Sequence, residues 1–133
     1  MEEKISQNSG GGTIIIMDDE ECIRDSLSLM LMSMGYDVLH MEEGEEVIFF
    51  FKEDYHDKEE ISCIILDLVI PHGMGGKETV LEIRKILPDI PVFAISGHTD
   101  DPVILNPREY GFTSSLRKPF FIKDLTELLS KYL

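Results

Sequence analysis

Five short strand-like segments, the last of them weaker, constrain this chain more than any other feature. They are Thr13-Ile14-Ile15-Ile16-Met17, Tyr36 to His40, Ile61 to Leu66, Pro91-Val92-Phe93-Ala94-Ile95 and Thr113 to Arg117. The first, third and fourth are nearly continuous in apolar side chains, as strands buried on both faces require. Segments of helical period lie between them. Ile23, Leu27, Met30, Leu31 and Met34 recur on one face behind the acids Asp18 to Glu21, and Gly35 closes that helix. Gly44 to Lys52 presents Val47, Ile48, Phe50 and Phe51, and a charged loop follows from Asp54 to Glu60. Lys77 to Leu87 presents Val80, Leu81, Ile83, Ile86 and Leu87, and Pro88 stops it. Asp101-Pro102 begins a fourth helix, and Phe121 to Leu133 carries Ile122, Leu125, Leu128, Leu129 and Tyr132 on one side. Strand and helix alternate five times, which predicts an α/β fold: a parallel sheet with helices on both faces and right-handed crossovers.

The length, 133 residues, suits one domain. Residues 1–12 are mostly polar and end in Ser9-Gly10-Gly11-Gly12, which reads as a flexible linker or tail, leaving 13–133 as the domain. Twelve Lys and Arg against 26 Asp and Glu leave a net charge of −14. That excess argues against nucleic acid or an anionic membrane as direct partner and favours cations and basic protein surfaces. No apolar run reaches the roughly 20 residues of a membrane helix, and the N-terminus lacks the basic-then-apolar order of a signal peptide. Cys22 and Cys63 form no CxxC unit. The expected setting is the reducing cytoplasm.

The acids are informative by position. Asp18 and Asp19 follow the first strand, Asp67 the third, Ser96 ends the fourth and Lys118 follows the fifth. In an open parallel sheet all of these sit at the carboxyl edge, where ligands bind at the point of strand-order reversal. An Asp at such a place can also serve simply as a helix cap. Five groups at one edge form a coherent set instead. Neighbouring first and third strands would bring three carboxylates together, and their mutual repulsion calls for a proton or a cation. An all-oxygen pocket suits a hard ion such as Mg²⁺. Asp67 is then a candidate nucleophile, Lys118 a cation for a phosphoryl oxygen and Ser96 a hydroxyl donor, the parts needed to form an aspartyl phosphate.

These residues resemble the receiver domains of two-component signalling. Ile16-Met17-Asp18-Asp19-Glu20, Ile64-Ile65-Leu66-Asp67-Leu68-Val69-Ile70-Pro71 with Gly75-Gly76, Ala94-Ile95-Ser96-Gly97 and Arg117-Lys118-Pro119-Phe120 are similar to that family's motifs, in order, over 13–133. The resemblance implies a flavodoxin-like (βα)5 fold with strand order 2-1-3-4-5. It implies phosphorylation of Asp67 by a histidine kinase, a Mg²⁺ ion held by Asp19, Asp67 and the carbonyl of Val69 with Asp18 acting through water, and phosphoryl contacts from Ser96 and Lys118. It also implies a phosphoacceptor that turns over only its own phosphoryl group rather than an enzyme acting on other substrates. Ile70 to Glu78, Ser96 to Val103 and Arg108 to Phe112 are most similar to the C-terminal receivers of hybrid sensor histidine kinases, so the kinase could share a polypeptide with this domain.

Two departures stand out. Family members usually carry Tyr or Phe three residues before the fifth-strand lysine, where this chain has Ser115. Ser115 motivates an alternative, a binding-only pseudo-receiver. Pro107 falls inside the expected fourth helix and predicts that this helix is short, broken or shifted near Asn106. Gly76-Lys77 is no phosphate-binding loop, since Pro71 stands five residues before Gly76 and no Ser or Thr follows Lys77. An aspartate-nucleophile phosphatase of the dehalogenase kind would need an acid where Val69 stands. His98 reads as an exposed loop residue near the phosphoryl site. The Phe49-Phe50-Phe51 run exceeds the needs of one helix face, so one ring is expected outside the core.

Overall fold

The computed structural model describes residues 11–55, 60–98 and 100–133. Its strands are β1 (Thr13–Met17), β2 (Asp37–Met41), β3 (Ile61–Asp67), β4 (Val92–Ser96) and β5 (Ser114–Arg117). Its helices are α1 (Glu21–Ser33), α2 (Gly44–Phe49), α3 (Gly76–Ile86), α4 (Pro102–Leu105) and α5 (Ile122–Tyr132). The strands are all parallel, in the order β2-β1-β3-β4-β5. This is the flavodoxin-like fold that the alternation and the motifs imply.

Because side chains alternate across a strand, each central strand feeds two cores. Ile15, Met17, Ile64, Leu66, Val92 and Ala94 point to the side covered by α2, α3 and α4, where they meet Val47, Val80, Ile83 and Val103. Ile14, Ile16, Cys63, Ile65, Phe93 and Ile95 point to the side covered by α1 and α5, where they meet Leu27, Leu31, Leu125 and Leu129. β1 and β4 are buried along their whole length. Gly35, at φ 98°, reverses the chain after α1, and Tyr36 N–H donates back to the Leu31 carbonyl.

The α2, α3 and α4 side departs from regular helix at two places. α2 ends at Phe49 rather than Lys52, and Phe50–Asp54 form a wider π turn closed by Tyr55 N–H to the Phe50 carbonyl at 2.7 Å. The turn takes in Asp54, expected to open the charged loop, while 56–59 of that loop lie outside the described residues. The wider turn lets two consecutive rings serve the core. Phe51 is buried, Phe50 meets it edge-on at 5.1 Å, and Tyr55 packs on Phe51 at 5.3 Å. The third ring, Phe49, faces out. α4 is a single turn, as Pro107 predicts: Asn106 leaves helical geometry and Pro107–Tyr110 form a 3₁₀ turn ending at Gly111.

Polar side chains close what these breaks open. Arg84, in the last turn of α3, donates to the carbonyls of Gly111 at 2.9 Å and Ile90 at 2.6 Å, with longer bonds to Leu87 and Pro88. Ser115 Oγ donates to the Ile104 carbonyl at 2.8 Å, tying the end of α4 to β5. At the amino ends of β1, β2 and β3, Gly12 accepts from Asp37 N–H and Gly11 accepts from Ser62 Oγ. A Cβ at Gly11 would run into the Tyr36 ring. Residues 1–10 of the expected tail lie outside the described residues.

Candidate functional site

The strand order decides what meets. From β1 the chain leaves through α1 to β2 on one side and returns through β3 on the other, so the carboxyl ends of β1 and β3 are neighbours (Met17 pairs with Leu66). Asp18 therefore stands beside Asp67. Asp67 pairs in register with Ile95, and Ser96 with Arg117, which carries Ser96 and Lys118 to the same edge. The carboxylates of Asp18, Asp19 and Asp67 offer oxygens within 4.8 Å of one another. Asp19, Asp67, Val69, Ser96, His98 and Lys118 line one open pocket, with Asp18 beneath it.

Each side chain has a defined hold. Asp18 is fully buried, and its Oδ1 accepts from Glu20 N–H at 2.9 Å. Asp67 is 4% exposed, and its Oδ1 accepts from Val69 N–H at 3.3 Å. Lys118 Nζ lies between the two, 3.0 Å from Asp18 Oδ2 and 3.3 Å from Asp67 Oδ2. Ser96 Oγ accepts from His98 N–H at 3.0 Å, and the Ser96 carbonyl accepts from Lys118 N–H. Asp19 and His98 are exposed at the rim, as is Val69.

The electrostatics follow from this packing. Burial, and then the nearby charge of Asp18, push the Asp67 carboxyl up to about 6, and Lys118 with the Val69 amide offsets only part of that. Burial pulls the Lys118 ammonium down, but its hydrogen bond to Asp18 and the charges of Asp67 and Asp18 outweigh this and hold it above its ordinary value. Three carboxylates against one ammonium leave a net negative cluster. Asp18 Oδ2, though buried, has the ammonium beside it and no aligned hydrogen-bond donor. The donor set is oxygen throughout. On these grounds the residues present fit a hard divalent cation.

Three supports of this site escaped the sequence reading. Arg24 reaches back from α1 to the Asp18 carbonyl at 2.7 Å. Glu20 Oε1 stands 4.0 Å from Lys118 Nζ, on the rim. Glu43, before α2, accepts from Met74 N–H at 3.1 Å, while Gly44 N–H donates to the Met74 carbonyl at 2.8 Å. The loop after Asp67 is thereby clasped at Met74. Gly75 and Gly76 allow it to fold back, since a Cβ at either would press on the Leu68 or Asp67 carbonyl. A glycine-rich loop signals the close approach, but nothing local marks Glu43 as its partner.

A sheet of this order with such a cluster at its switch point defines a class, and the sequence pattern of the response regulator receiver domain matches residues 14–130. The chain belongs to that family, the receiver domains of two-component signalling. It is 31% identical over 134 residues to sensor kinase CckA of Brucella abortus, covering 98% of this chain and 13% of the kinase. It is 32% identical over 108 residues to the transcriptional regulatory protein FixJ of Rhizobium meliloti, covering 81% of this chain and 50% of that protein. The chain thus spans half or less of these two curated relatives. Among solved structures, the receiver domain of sensor histidine kinase PA1611 from Pseudomonas aeruginosa superposes with a TM-score of 0.78 at 22% identity, covering 92% of this chain and 98% of that one. Its magnesium ion is coordinated in the active-site cleft. A CheY-like receiver from Methanospirillum hungatei superposes at 0.76 and 22% identity, covering 90% and 91%. Among the described residues no helix is long and apolar enough to cross a membrane.

Proposed function

We propose that this domain, 13–133, is a phosphoacceptor in a cytoplasmic phosphorelay, with Asp67 taking a phosphoryl group from a histidine kinase, in the same polypeptide or another. The observation that carries the reading is the placement of Asp67: at the end of β3, 3.3 Å from Lys118 and among the carboxylates of Asp18 and Asp19. Asp19, Asp67 and the Val69 carbonyl would hold Mg²⁺, with Asp18 reaching it through water. When bound, the ion supplies positive charge that offsets the three carboxylates and the incoming phosphoryl oxygens.

The residues of the chain do the rest. An Asp67 carboxylate oxygen forms the new P–O bond as the P–N bond of the donor phosphohistidine breaks, and the imidazole leaves with the electron pair and takes up a proton. Lys118 moves from a carboxylate oxygen to a phosphoryl oxygen at little cost in distance. The Ser96 hydroxyl can donate to another, because among the described residues its oxygen serves as an acceptor, from His98 N–H. Water later attacks phosphorus and restores Asp67, so the domain turns over only its own phosphoryl group. The modified and unmodified states differ in charge at one edge of the sheet, and a downstream protein that binds one better than the other is thereby regulated.

Intact-protein mass after incubation with acetyl phosphate or phosphoramidate and Mg²⁺ tests this. The expected result is one added phosphoryl group, absent in Asp67→Ala and without Mg²⁺. No addition, with a known receiver labelled alongside and with the cognate kinase also failing, would overturn the reading in favour of a binding-only domain.

A further inference from the structure

The Phe49-Phe50-Phe51 run leaves one ring outside the core: Phe49 is 58% exposed. It does not stand alone. Glu45, Ile48, Phe49, Lys52 and Glu53 follow one another at helical spacing along α2 and the π turn, and Met74 and Glu82 face them from the loop after β3 and from α3. Together they form a groove. Its floor is Ile48, Phe49 and Met74. Among the described residues its rim carries three acids, Glu45, Glu53 and Glu82, against one lysine, Lys52. Lys85 pairs with Glu82 at 3.2 Å, on a surface position where such a pair is worth little.

An apolar floor inside an acidic rim selects its occupant by charge. Nucleic acid and anionic lipid are repelled. A second copy of the chain, at −14, meets like charge. A neutral apolar ligand would fill the floor and leave the rim acids with nothing to pair with. The complementary occupant presents an apolar anchor among Lys or Arg, and a trough between two helical elements is shaped to take another helix. We propose that the groove between α2 and α3 docks a basic amphipathic helix of a partner protein. Apart from the β3–α3 loop, which contributes to both, this surface is built from other elements than the acid pocket. The proposal stands independently of phosphorylation at Asp67.

The probe is a synthetic Leu/Lys peptide patterned as an amphipathic helix, titrated into the full chain at physiological salt and followed by amide chemical shifts. A Ser/Lys peptide of equal charge is the comparison. Shifts centred on Ile48, Phe49, Met74 and Glu82 are expected. Phe49→Ser should weaken binding about tenfold. The double variant Glu45→Lys, Glu53→Lys should do the same through charge alone. Leu29→Ser and Phe121→Ser, at positions more exposed than Phe49, should leave binding unchanged. Equal binding of the Ser/Lys peptide, shifts centred elsewhere, or full affinity in a folded Phe49→Ser chain would each overturn the proposal.

Discussion

The two faces of the sheet are built by different means. On one, α1 and α5 run 13 and 11 residues without interruption, and their apolar stripes meet Ile14, Ile65, Phe93 and their neighbours. On the other, only α3 is comparable. α2 widens into a π turn after six residues, and α4 stops after four. The sheet supplies an equally apolar surface to both. The difference lies in what completes the cover: helical repetition on the first face, and single polar side chains (Arg84, Ser115 and Glu43) on the second. A face held by a few specific hydrogen bonds can rearrange by exchanging them, whereas a face held by a continuous stripe must slide or separate. The loops that carry Val69 and His98 both lead to the second face.

The largest test of this contrast is Arg84→Ala. It leaves the carbonyls of Gly111 and Ile90 without their donor and should cost about 3 kcal/mol in urea unfolding. Loss of protection from amide exchange should spread through the 3₁₀ turn and the start of β5 while α1 stays protected. A uniform loss over both faces would break the distinction.

The acid pocket belongs to neither face, and its cost is set by pH. Asp67 is raised to about 6 against an ordinary value near 4, so between those values the folded chain binds more protons than the unfolded one. Stability therefore falls as pH rises from about 4 to about 6, and the penalty is complete above that. In magnesium-free buffer at pH 7.5, Asp67→Asn should gain about 2 kcal/mol, and the gain should vanish near pH 4. A variant no more stable than the parent at pH 7.5 would mean that Lys118 already neutralises the cluster. The smallest effect expected is that of Ser115→Ala, about 1 kcal/mol, read as faster exchange confined to α4 and its junction with β5.

Much of this architecture is legible in the sequence because it is local or periodic. Apolar runs of strand length, helical spacing between them and punctuation by Gly35, Pro88 and Pro107 are enough to order the elements. Parallel topology then carries Asp18, Asp19, Asp67, Ser96 and Lys118 to one edge. The ends of helices on the second face are less legible. Three consecutive phenylalanines satisfy a helical pattern, and only the demand of two rings for the same core opens the turn to π geometry. Glu43, Arg84 and Ser115 carry no local signal for the bonds they make, since each bonds a main-chain group brought near by tertiary packing. Arg84 and Gly111, 27 residues apart, are the clearest case.

The two cysteines give this molecule an internal clock. Cys22 is exposed on α1, while Cys63, on β3 beneath α1 and α5, has no accessible surface, and burial raises its thiol far above the ordinary range. A thiol reagent therefore meets one site immediately and the other only when the face covered by α1 and α5 lifts from the sheet. The ratio of the two alkylation rates reports how often the uninterrupted face opens, with no residue substituted beforehand.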